Sequence, residues 1–132
     1  MAIGNARLLS AVKHRTIGLF VAAFLTMAAN AFANDVEIIN AKAEKQHANW
    51  TIHVTLKHGD TGWDHYADAW RVVAKDGTEL GKRTLHHPHI KEQPFTRSLA
   101  NISLPAGARF VYIEAHDNVH GWAKQRYTLK LR

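Results

Sequence analysis

Trp50 to Lys57 alternates residue by residue: Trp50, Ile52, Val54 and Leu56 are apolar, and Thr51, His53, Thr55 and Lys57 between them are polar. Only an extended chain, whose side chains point to opposite faces with period two, sorts such a segment into a core side and a solvent side. A helix would scatter the four apolar residues around its circumference. Elsewhere β-branched and aromatic residues recur in short runs with turn residues between them. The pattern predicts strands at 36–45, 50–57, 66–74, 78–85, 95–104, 108–115 and 125–132. Gly59-Asp60-Thr61-Gly62, Lys75-Asp76-Gly77 and Pro105-Ala106-Gly107 are turn signals between them. From Asn34 onward no segment sustains a 3.6-residue period.

Seven short strands in about 100 residues predict an all-β fold, a seven-stranded antiparallel sandwich of immunoglobulin-like type. The chain resembles fibronectin type III and related sandwiches that lack cysteine, with Trp50 or Trp70 in the place of the core tryptophan. A small barrel is the other way to close these strands.

Residues 1–33 stand outside that pattern and read as a secretory signal peptide. Arg7, Lys13 and Arg15 precede an apolar run from Ile17 to Ala29, and Ala31-Phe32-Ala33 offers small residues before a cleavage point. The run is short of the roughly 20 residues a membrane span needs. The expected mature domain is 34–132, periplasmic or secreted, with no membrane span. The signal holds three of the 17 Lys and Arg residues and no acid, so the domain's net charge is +3 rather than the +6 of the whole chain. That charge is spread out, without the basic block a nucleic-acid partner requires. There is no cysteine, and both methionines, Met1 and Met27, lie in the signal. The domain therefore has no disulfide, no site for cysteine lipidation and no soft sulfur ligand.

Nine of the ten histidines lie in the domain, several times ordinary usage. His58 and His65 flank the connection from the second strand to the third. His86, His87 and His89 lie between the fourth and fifth, and His116 and His120 bound the segment between the sixth and seventh. Successive connections of such a sandwich alternate between its two ends, so these three share one end. His47 maps to the other end, and His53 lies mid-strand on the polar face. Asp60, Asp64, Glu92 and Asp117, with Trp63 and Trp122, join the histidines. Imidazole with carboxylate suits a borderline divalent ion, and the absence of thiolate and thioether excludes blue-copper and soft Cu(I) sites. Cu(II) or Zn(II) is the expected metal, ahead of Fe(II) or Ni(II). The candidate ligands are His65, His87, His89 and His120, with His116 in reserve and His58 and His86 behind it. His87 and His89 point the same way from an extended segment stiffened by Pro88. His65 leads into a strand, and Gly121 lets the chain turn tightly after His120. The carboxylates serve either as ligands or as partners that orient an imidazole.

The segments Gly62-Trp63-Asp64-His65-Tyr66-Ala67-Asp68, His87-Pro88-His89, Glu92-Gln93-Pro94-Phe95-Thr96-Arg97 and Asp117-Asn118-Val119-His120-Gly121 resemble the signature of a family of small exported bacterial proteins. That family carries no assigned activity. The resemblance supports His65, His87, His89 and His120 as the ligand set and implies no reaction.

The expected function is metal buffering, delivery or sensing by an exported domain. The alternative is a non-metal module that grips an exported protein or a glycan with the same loops and with Trp63 and Trp122. A pH-responsive imidazole cluster and a polar network that merely fastens the loops are two further readings. Nucleophile chemistry has little to recommend it: cysteine is absent, and Ser98 and Ser103 lie in a predicted strand without a nucleophile elbow. A metal with an open position would leave metal-assisted chemistry available.

Overall fold

The computed structural model describes residues 35–132. The signal peptide read at residues 1–33 lies outside them. Every regular element described is a strand, so among these residues no helix is long and apolar enough to cross a membrane. The strands are β1 (Glu37–Gln46), β2 (Asn49–Lys57), β3 (Ala67–Val73), β4 (Glu79–Thr84), β5 (Phe95–Ile102), β6 (Phe110–Asp117), β7 (Gly121–Trp122) and β8 (Tyr127–Lys130). They form two antiparallel sheets in a sandwich, one in the order β1-β2-β5 and the other in the order β4-β3-β6, with β7 and β8 both paired to the far edge of β6.

There are eight strands rather than the expected seven. The additional one is β7, in a stretch read as a loop. Gly121, at φ +78°, turns the chain back so that His116 pairs with Trp122 and Asp117 with Gly121 before the chain leaves the sheet and returns as β8. An L side chain is disfavoured at that φ, which accounts for glycine there. Turn chemistry behaves as expected between β3 and β4, where Asp76 accepts the N–H of Thr78 and Gly77 takes φ +92°.

The alternation of β2 sets the core. Ile52, Val54 and Leu56 are fully buried against Trp70 and Val72 of β3 and Val111, Ile113 and Ala115 of β6, with Phe95 and Ile102 from β5. Both layers thus bury alternate residues, the signature of strands with one face in a core. The opposite face of the first sheet carries a polar ladder. His53 bonds Ser98 at 2.6 Å and Glu44 at 3.2 Å, and Thr55 bonds Thr96 at 2.7 Å. The His53–Ser98 and Thr55–Thr96 pairs are cross-strand neighbours in register and Glu44 reaches His53 diagonally, which makes a sheet-stabilising row.

The register between β3 and β6 shifts between Ala67 and Ala69. Strict alternation would put Asp68 on the inner face with Trp70. The bulge instead sends it outward, to His116.

Candidate metal centre

Two core columns run out of the sandwich at the same end, and each ends on a polar residue. In β6 the inward series Val111, Ile113, Ala115 continues to Asp117, whose side chain is 1% exposed. In β2 the series Ile52, Val54, Leu56 continues one step past the strand to His58, 2% exposed. Period two therefore carries a carboxylate and an imidazole into the end of the core, with His58 Nε2 3.9 Å from Asp117 Oδ2.

Asp60 fixes the orientation of His58. A tight turn, with the Asp60 N–H on the His58 carbonyl at 2.9 Å, brings the Asp60 carboxylate back onto the ring. Its Oδ1 lies 2.5 Å from His58 Nδ1 and accepts the N–H of Ala67, and its Oδ2 accepts the N–H of His89. A carboxylate that already accepts two backbone N–H groups is held as an acceptor, so the proton of the pair sits on His58 Nδ1. With Nδ1 on Asp60, Nε2 is the ring atom that faces Asp117. This is the carboxylate–histidine arrangement that orients metal-binding imidazoles. Gln93 adds a tether, accepting the N–H of His58 and donating to the carbonyl of His89.

His65 comes from the turn between β2 and β3, closed by a bridge between Gly62 and His65. Its Nε2 is buried, lies 3.5 Å from Asp117 Oδ1 without hydrogen-bond geometry, and has no hydrogen-bond partner among the described residues. The His65 ring meets His58 edge to face at 4.8 Å and His120 at 5.0 Å. A buried nitrogen without a partner is costly unless something else satisfies it. His120 reaches the same carboxylate from the turn after β6. Asp117 Oδ1 accepts the N–H groups of Val119 and His120, and His120 Nδ1 lies 3.2 Å from both carboxylate oxygens. Burial pushes the Asp117 carboxyl up, but the two N–H groups and the His120 imidazole outweigh it and hold the group below its ordinary value.

Two groups of donor atoms lie close enough to share an ion: His58, His65 and Asp117, and, also using Asp117, Asp35 and His120. Of the candidate ligands taken from the sequence, His65 and His120 are brought to Asp117. His58, ranked behind them, is brought there too, whereas His87, His89 and His116 are placed elsewhere. His89 is buried and stacks on Phe95 with ring centroids 3.8 Å apart, while its Nε2 accepts from Arg97 at 3.0 Å. Burial first, then the charges of Arg97 and His87, lower its pKa. It meets the cluster through its main-chain bond to Asp60. His87 is exposed and lies beside His89, with rings 4.6 Å apart. His116 sits on the outer face of its sheet, 2.5 Å from Asp68 and against the Trp122 ring. Arg97 clamps Glu92 through hydrogen bonds to both carboxylate oxygens, which fastens the loop before β5.

From sequence alone His58 ranks low and Asp117 is one carboxylate among four. The signal that singles them out is the extension of each strand's period-two series by one more step. Asp35 carries no such signal, because it precedes β1 and reaches the site only through the packing of the chain.

Comparison with known proteins is sparse. A protein named "Putative lipoprotein" from Halomicrobium mukohataei is 46% identical over 72 residues, 54% of this chain and 35% of that protein. The chain thus spans about a third of the relative it matches. No family model matches, and no solved structure does.

Proposed function

We propose that this is an exported domain that binds a divalent transition metal, Cu(II) or Zn(II), and serves in metal buffering, delivery or sensing. The observation that carries the reading is the trio His58, His65 and Asp117. Three donor atoms lie within 4.8 Å of one another, the buried His65 Nε2 lacks a hydrogen-bond partner, and Asp60 aims His58 Nε2 at the centre. Nitrogen and oxygen donors without sulfur suit Zn(II) and Cu(II). An exported setting, periplasmic or secreted, is supported by the signal-like residues 1–33 and by the name of the relative, "Putative lipoprotein". We assign the sandwich to the immunoglobulin-like, fibronectin III-like class on its strand order, with β1-β2-β5 facing β4-β3-β6-β8.

The test is calorimetric titration of the metal-free protein with Zn(II) and Cu(II), together with metal analysis of protein taken from its native compartment. One equivalent bound by the wild type and abolished in His58→Ala/His65→Ala is expected, with His87→Ala/His89→Ala still binding. Loss of binding only in the second variant would return the site to the ligand set drawn from sequence. No uptake by the wild type would end the metal reading.

A second reading rests on a separate observation. Trp63 is 66% exposed, Ile90 57% and Val119 57%, and each lies in a different one of the three loops that meet at this end. Apolar side chains so placed suit a docking module. Trp122 fits that role less well, because Arg71 covers its ring at 3.9 Å. This reading expects Trp63→Ala to abolish partner capture while metal content is unchanged.

A further inference from the structure

We infer that the centre is coordinatively open: His58, His65 and Asp117 supply three donors, and at least one remaining position takes a small anion or neutral molecule from solvent. The inference rests on the metal-binding reading and adds what that site receives. Zinc and copper(II) take four or more ligands, and a site with three protein donors is the kind that keeps a position for an exogenous ligand. Among the described residues no fourth histidine or carboxylate has a donor atom within 4.8 Å of all three.

Several neighbouring polar atoms are committed elsewhere, although His89 Nδ1 is buried without a hydrogen-bond partner among the described residues and lies 4.0 Å from Asp60 Oδ2. Asp60 spends its oxygens on His58 and two backbone N–H groups, His89 Nε2 is held by Arg97, and His120 Nδ1 is held by Asp117. Nor is the centre sealed. The three donor atoms are buried, but the His65 ring that carries one of them is 24% exposed, and His58 also lines a cavity of about 620 Å³. Asp117 is the one anionic donor of the trio, so a divalent ion there retains positive charge and favours an anion as the added ligand. A closed storage site would instead surround the ion with protein donors.

The choice is decided by loading the full chain with Co(II), whose visible bands report coordination, and then adding azide. Expected are one equivalent of Co(II), a saturable shift of the visible bands on adding azide, and no such shift with perchlorate at equal ionic strength. Asp35→Asn should keep the azide response, and His65→Ala should lose the cobalt spectrum. Bound Co(II) whose spectrum ignores azide would overturn this inference and leave the metal reading standing. So would an azide response that appears only in Asp35→Asn, because Asp35 would then be the closing ligand. Failure to take up Co(II), Zn(II) or Cu(II) would overturn both.

Discussion

At the scale of single residues, Asp117 does the most with the least exposure. It ends the inward column of β6, caps its own turn through two N–H groups, and faces His58, His65 and His120. Its depressed carboxyl has a consequence for stability. The unfolded chain holds such a group near about 3.9, so the ionised form favours the fold above that pH. The contribution is lost as pH falls through the lower native value, because the unfolded state takes up the proton first. The metal-free protein is therefore expected to lose stability below pH about 4. Asp117→Asn should be less stable at neutral pH and lose less over that acid window. Urea midpoints across a pH series check both statements, and an acid limb as steep in the variant as in the wild type would contradict the assignment to Asp117.

At the scale of elements, Asp60 ties together three parts of the chain: the end of β2 through His58, the start of β3 through Ala67, and the loop before β5 through His89. Asn at this position cannot accept all three bonds while leaving the His58 tautomer fixed. Asp60→Asn is expected to weaken Zn(II) affinity by about 10–100-fold while far-UV circular dichroism keeps its β signature. Unchanged affinity would show that His58 needs no orienting partner. Much of this level was legible in the sequence. The alternation of 50–57 and the Lys75-Asp76-Gly77 turn place β2 and the β3–β4 hairpin where they are found. The short β7 was not legible, since two residues carry no periodicity and its pairing depends on the edge that β6 presents. The outward turn of Asp68 was hidden for a similar reason: a bulge is a property of two paired strands and inverts the alternation of one.

At the scale of the whole molecule, the fold brings the three histidine-bearing connections together, so an ion held there would link both sheets. A ligand bound only by the folded state stabilises it by about 2.7 kcal/mol when present at 100 times its Kd. For a domain of about 100 residues that amounts to a rise of roughly 10–20 °C in Tm. Calorimetry with Zn(II) and again after chelation should show such a rise and its reversal, and identical transitions would argue against a site that joins the sheets. The sequence by itself determined the all-β class, the core face of β2 and a meeting of distant histidines at one end, because these follow from period two and from the alternation of loops. It did not determine which histidines share one carboxylate. His65 and His120 were in reach of that reasoning, but His58 and Asp117 are joined only by the packing of β2's sheet over β6's, and His89 is drawn away by Phe95 and Arg97. Ligand sets depend on distances of a few ångströms across the sandwich, and those are fixed by how the two sheets pack, which no single strand's pattern records.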